Sequence, residues 1–259
     1  MTTNRHPVDR RTFLTHLTRT SIGAWTLTRG GAAIAVGGGA LATGASAAAK
    51  EGRRRLRVER ALNTFVSGYV LARNGKIAIV DAGFNAPGNF AAFEAAVAAT
   101  GLGWRDVRHL ILTHWHPDHI GNSTAILAAA TKAKVYAHEG DVDRIASDPL
   151  FPSGERLRGL EDEDDVFDLE VVHAPGHTPG NIAVHHEEAS IILLGDTLTN
   201  VGSLAEPGAA FTPDPVAARR SIRRIARLDF ESAYFGHGDP ILSGASAAIA
   251  AFAATMPNP

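Results

Sequence analysis

The run Thr113-His114-Trp115-His116-Pro117-Asp118-His119 crowds three imidazoles and a carboxylate into six consecutive residues, 114 to 119. In an extended loop, residues two apart project the same way. His114 and His116 can therefore grip one cation, while Asp118 and His119, beyond the Pro117 bend, can face another. Four ligands are too many for one ion, because a tetrahedral catalytic zinc takes about three protein ligands and keeps a position for water. Two ions need about six ligands and something shared between them. His177 in Gly176-His177-Thr178-Pro179-Gly180, Asp196 in Gly195-Asp196-Thr197 and His237 in Gly236-His237-Gly238-Asp239 can supply the remainder, with a carboxylate as the natural bridge. The chain has no cysteine, which excludes disulfides, thiolate zinc sites, iron–sulfur clusters and a cysteine nucleophile.

Strands and the loops after them must position these groups. Apolar runs at 64–72 and 76–80 flank Asn74-Gly75, whose preference for positive φ predicts a hairpin, and the second run stops at Asp81. A strand at 109–112 delivers the histidine-rich run. Further strands are expected at 134–137, 167–172, 181–185, 191–194 and 232–235. Helices are expected at 90–100, 120–131, 141–147, from Thr212-Pro213-Asp214-Pro215 to about Leu228, and 245–254, with 148–165 as a polar loop. Strands in groups with helices between them predict a layered α/β domain over 48–259.

The first 47 residues carry five arginines and one acid, leaving the remainder at net charge −6, which argues against nucleic acid as a partner. Asp9-Arg10-Arg11-Thr12-Phe13-Leu14, a glycine-broken apolar stretch at 30–49 and Ala45-Ser46-Ala47 come in the order of an export signal. Residues 1–47 resemble a twin-arginine signal, so a periplasmic or extracellular location is expected, without a stable membrane span.

With its motifs in order over roughly residues 60 to 240, the sequence resembles the metallo-β-lactamase-fold hydrolases. The resemblance implies a four-layer αββα sandwich. It implies His114, His116 and His177 as ligands of a first metal, Asp118, His119 and His237 of a second, and Asp196 as the bridge. It gives Asp81 an orienting role behind the ligands. Two cations roughly 3.5 to 4 Å apart lower the pKa of a bridging water toward neutrality, making a hydroxide nucleophile. Asp118 could orient that nucleophile or hand its proton to the leaving group. Two zinc ions are the expected cofactors, with iron and manganese compatible with the same donors.

Within that family, glyoxalase II-type thioesterases carry a helical domain after the last ligand, whereas few residues follow His237 here. The family's β-lactamases use cysteine at the second site or lack the bridging acid. Its acyl-homoserine lactonases place a tyrosine where Thr199 stands. The expected activity is hydrolysis of a small-molecule ester, lactone, thioester or amide. The alternatives are a mononuclear-iron persulfide dioxygenase and an inert metal-binding module. The loop from Leu198 to Phe211, with Asn200, Leu204 and Glu206, is expected to help select the substrate. Trp115 either walls the site or packs inward. His109, His138, His173, His185 and His186 have no place among the ligands.

Overall fold

The computed structural model describes residues 55–257. A six-stranded sheet runs in the order β1 (Arg57–Asn63), β2 (Val66–Arg73), β3 (Lys76–Val80), β4 (Val107–Ile111), β5 (Lys134–His138), β6 (Leu157–Leu160). Its first three strands pair antiparallel and its last four parallel. A second sheet contains β7 (Asp165–Val166), β8 (Leu169–His173), β9 (Ile182–His186), β10 (Ile191–Leu193) and β13 (Ser232–Tyr234), in the order β13-β10-β9-β8-β7. The hairpin of β11 (Thr199–Asn200) and β12 (Leu204–Ala205) stands apart from both.

The strands are apolar on both sides because each sheet is covered twice. Leu71, Val80 and Ile111 of the first sheet meet Val171, Ile182, Val184 and Leu193 of the second. The alternate residues Val70, Ile79 and Leu110 turn outward to Phe93 and Val97 of α1 (Phe90–Ala99), Ile126 of α3 (Ser123–Ala129) and Ile145 of α4 (Glu139–Ala146). On the far side, Val172, Ala183 and Ile192 meet Ile222 and Ile225 of α5 (Pro215–Ile225) and Ile249 of α6 (Ala245–Thr255). These are the four layers of the αββα sandwich. Each large aliphatic side chain so buried contributes roughly 2 kcal/mol. No described helix is long and apolar enough to cross a membrane.

The Asn74-Gly75 turn forms as expected, with φ of 53° and 74°. Several boundaries differ. Thr64 and Phe65 form a turn instead of opening a strand, and the edge strand β1 precedes them. Its charges at Arg57, Glu59 and Arg60 mask the alternation that an edge strand of this kind carries. The expected helix at 120–131 is broken into α2 (Pro117–Ile120) and α3 because Gly121 and Asn122 turn to bond Gly83 and Ala82. The expected polar loop at 148–165 contains β6, whose strand form comes from pairing with β5. Helix α5 opens as expected, Asp214 accepting from the Ala217 amide at 2.8 Å, but stops at Ile225. The export signal expected at 1–47 lies outside the described residues.

Candidate metal centre

Five loops meet at one edge of the sandwich. In the first sheet β3 and β4 run parallel and end at Asp81 and at the His114–His119 run. In the second, β10 and β13 are parallel and β8 shares their direction across the antiparallel β9, so all three end on one side, before His177, Asp196 and His237. The Ile182 amide donates to the Thr113 carbonyl at 3.0 Å, and the Tyr69 hydroxyl donates to the Phe235 carbonyl at 2.7 Å, stitching the two sheet ends together. Burial drives the pKa of that Tyr69 phenol up to about 12, which keeps it a donor.

All seven side chains expected to hold metal are brought together. His114, His116 and His177 offer three donor atoms within 4.8 Å of one another, as do Asp118, His119 and His237, and as do His114, His119 and Asp196. Hydrogen bonds on the far side of the rings fix the tautomers. The Thr113 hydroxyl donates to Asp81 Oδ2 at 2.9 Å, so at 3.1 Å from His114 Nδ1 it accepts the ring proton. His119 Nδ1 donates to Asp81 Oδ2 at 2.8 Å. The Thr212 hydroxyl is spent on the Gly208 carbonyl, so it accepts from His177 Nδ1 at 3.3 Å, and His237 Nδ1 donates to the Phe65 carbonyl at 3.1 Å. Four rings are thereby held with Nδ1–H outward and Nε2 toward the centre. His116 differs, turning Nδ1 inward to 2.9 Å from His177 Nε2.

The centre fits cations by its own geometry. His114 Nε2, His119 Nε2 and Asp196 Oδ1 are buried and have no hydrogen-bond partner among the described residues. His119 Nε2 and Asp196 Oδ1 stand 3.3 Å apart but share no well-aligned hydrogen bond. Leaving such atoms unpaired costs about 1–3 kcal/mol each, which an ion among them would offset. Imidazoles and carboxylates without thiolate suit zinc, iron or manganese.

Protonation divides the cluster. Burial, reinforced by the neighbouring His119, holds the His114 and His116 pKa values below the usual imidazole range, and burial lowers His177 to about 4. These three rings are neutral at pH 7 and present lone pairs. Burial also opposes charge on His119 and His237, but carboxylates outweigh it. Asp196 and Asp81 raise His119 well above the usual range. Asp118 and Asp196, at 3.3 and 3.2 Å from His237 Nε2, raise that ring to about 10. Burial would raise the carboxyl of Asp196, yet His119 holds it well below the carboxylate range.

The cluster floors a cleft of about 810 Å³. Phe65, Phe84, Val201 and Phe211 stand around it, so the 198–211 loop does border the site. Asn200 clips the β11–β12 hairpin to the next loop, its amide donating to the His237 carbonyl at 2.9 Å and its side chain to the Asp239 carbonyl at 2.7 Å. Glu206 pairs with Arg219 at 2.9 Å, and Leu204 packs on the core. Trp115 packs inward, with the Arg144 guanidinium 4.5 Å above its ring. His138 and His173 stack 3.8 Å apart, away from the ligands. His109 lies beside Tyr136 and Phe167, His185 contacts the Asp229 carbonyl, and His186 contacts Arg73.

A sequence profile of the metallo-beta-lactamase superfamily matches residues 62–237, spanning every residue of this cluster. The chain belongs to the metallo-beta-lactamase superfamily. Its curated relatives in that superfamily include a hydroxyacylglutathione hydrolase of Erythrobacter litoralis, 35% identical over 136 residues that cover 52% of this chain and 49% of the relative. A hydroxyacylglutathione hydrolase of Pseudomonas aeruginosa is 33% identical over 174 residues, covering 65% of this chain and 60% of the relative. The chain spans about half the length of the curated relatives it matches first. Among solved superfamily structures, TTHA1429 of Thermus thermophilus superposes with a TM-score of 0.61 at 24% identity, covering 77% of this chain and 78% of that one. TTHA1623, solved in a di-iron-bound form, superposes with a TM-score of 0.57 at 27% identity, covering 69% of this chain and 91% of that one.

Sequence reasoning missed one buried organiser of this superfamily member. Asp141 accepts from the Trp115 amide at 3.1 Å, the Thr178 hydroxyl at 2.6 Å and the Gly180 amide at 2.8 Å, tying the His114–His116 loop to the His177 loop. Asp141 reads as one more acid in a helical first turn. The clue is a pair of glycines, since a Cβ on Gly140 would lie 3.1 Å from Gly180 Cα and one on Gly180 2.6 Å from the Asp141 amide nitrogen. Their pairing is invisible until the loops are seen touching.

Proposed function

We propose that this chain is a metal-dependent hydrolase of a small-molecule ester, lactone, thioester or amide, with two zinc ions held by His114, His116 and His177, by Asp118, His119 and His237, and by Asp196 between them. The observation that carries the reading is the set of four rings pinned at Nδ1 with Nε2 turned toward overlapping donor groups on the floor of an open cleft. When bound, such cations supply Lewis acidity toward a carbonyl oxygen and acidify water toward neutrality. Asp196, 6% exposed and within reach of both His119 and His237, suits ligation. Asp118 lines the cleft, so its carboxylate can take the proton of the attacking water and deliver it to the leaving group. Asp81 and Thr113 hold His114 and His119 in the tautomers that ligation requires.

The named relatives support hydrolysis, and the di-iron form of TTHA1623 makes iron the alternative ion. Elemental analysis of the purified protein, with turnover of an ester, thioester, lactone and amide panel before and after chelation, tests the reading. Two zinc ions per chain and chelator-sensitive hydrolysis are expected. One iron with oxygen uptake, or metal without any turnover, would overturn it. Export through the twin-arginine route is part of the proposal, supported by Arg10-Arg11, Phe13-Leu14 and the apolar stretch that follows. Replacing both arginines by lysine should trap the protein in the cytoplasm, as fractionation would show.

A further inference from the structure

We propose that the cleft selects neutral carbonyl compounds bearing a large apolar group and discriminates against anionic thioesters of the glutathione kind; this rests on the hydrolase reading above. Six large apolar side chains are exposed among the described residues, and four of them, Leu62, Phe65, Val201 and Phe211, line this one cleft. Scattered exposed apolar residues need no explanation, but a concentration around one cavity marks a surface that something else covers.

The walls stand on both sides of the cluster. Phe65 stacks on His237 at 5.8 Å between ring centres and leans on Phe84 at 5.5 Å. Opposite, Phe211 sets its ring edge-on to His116 at 6.3 Å. Val201, 72% exposed, sits at the tip of the β11–β12 hairpin, which is fixed at its base by Asn200 and Glu206. A carbonyl at the cluster would thus have aromatic surface beside both of its substituents, with the walls already in place.

Charge supplies the second half of the argument. Arg60 is the only lysine or arginine among the described residues lining the cleft. Three of its five N–H groups are engaged, Nε donating to the Ser67 hydroxyl at 2.9 Å, Nη1 to Asp239 at 2.9 Å and Nη2 to the Gly238 carbonyl at 2.6 Å. Apart from the metal cluster, the described lining offers the carboxylates of a glutathionyl group this one cation, already paired with Asp239. Asp239 offsets the charge of Arg60 in the lining, while Asp118 and Asp196 face the ions they would hold.

Two measurements on the metal-loaded protein test this. In the first, calorimetry follows binding of 2-butanone, 2-hexanone and 2-octanone as neutral probes and S-methylglutathione as the anionic one. Affinity should rise about fourfold per methylene and S-methylglutathione should bind more weakly than 2-octanone. In the second, kcat/KM is measured for acetyl, butyryl and hexanoyl esters and for S-lactoylglutathione, in the native protein and in Phe211→Ala and Val201→Ser. The native protein should show a steep rise with acyl length, and each variant a shallower one. Both substituted residues are exposed, and far-UV circular dichroism checks that the variants fold. S-methylglutathione binding as tightly as 2-octanone, or S-lactoylglutathione preferred with no chain-length dependence, would overturn this inference and leave the hydrolase reading intact. Chain-length-dependent ketone binding with no turnover of any substrate would support the apolar cleft and overturn the hydrolase reading instead.

Discussion

Asp81 Oδ2 lies 2.8 Å from His119 Nδ1, and the same carboxylate accepts the Thr113 amide at 2.7 Å and the Thr113 hydroxyl at 2.9 Å. It adopts a left-handed φ of 62° to do so. Asparagine tolerates that backbone, so Asp81→Asn should fold while presenting an amide where two donors need an acceptor. Metal affinity should fall tenfold to about a hundredfold in competition with a chromophoric chelator. Asp81→Ala strips all three donors of their partner inside the fold, and its urea midpoint should report a loss of about 3 kcal/mol or more.

Asp141 joins two ligand loops that are distant in sequence. Asp141→Asn should loosen the loop of His177 relative to His114 and His116, because its amide nitrogen accepts nothing and replaces either the oxygen that serves Thr178 and Trp115 or the one that serves Gly180. The expected outcome is one metal per chain instead of two, by elemental analysis, with melting lowered in the metal-loaded protein.

A methyl group on Gly236 would point at the centre itself, 2.7 Å from His119 Cε1 and closer still to Asp196 Oδ1. Gly236→Ala should therefore lose metal and turnover together. Its far-UV circular dichroism should stay native, since the two closest clashes are with side chains that can retreat when no ion holds them, and the Gly195 carbonyl at 3.1 Å need give only slightly.

Proton bookkeeping makes a pH prediction for the metal-free protein. The folded pKa of His237, about 10, lies above the ordinary 6.5, so its contribution to stability is complete below pH 6.5 and is lost as pH rises through 10. The folded pKa of His177, about 4, lies below 6.5, so its contribution is present above pH 6.5 and is lost as pH falls through 4. Melting temperature should decline on both flanks. As a ligand, His237 would give metal the lone pair that it otherwise protonates, so loading at pH 7 should release at least one proton, measurable by calorimetry in buffers of different ionisation enthalpy. The alkaline decline should then flatten.

Much of the architecture is legible in the chain because its strands are covered on both faces and read as continuous apolar runs ending at chemistry-bearing residues. The elements that escape are those whose form comes from neighbours. β1 is a charged edge whose partner makes it a strand, β6 is held by β5, and the break at Gly121 exists because Gly83 packs against it. The same distinction runs through the centre. The donors announce themselves by type and spacing, whereas Asp141 and Thr113 matter only through what they touch.

Which groups can bind a cation follows from residue type, because imidazole and carboxylate are the side-chain donors available to a chain without cysteine, and so does their order along the strand ends. Which nitrogen of each ring faces inward is instead set by the packing of distant segments. That choice is made by acceptors as remote as the Phe65 carbonyl for His237 and the Thr212 hydroxyl for His177. The same packing decided the character of the cleft, since Leu62, Phe65, Phe84, Val201 and Phe211 come from separate segments and form an apolar wall only after the two sheets pack. Local chemistry is written residue by residue, while direction and enclosure are long-range properties that arise when distant segments share one edge of the sandwich.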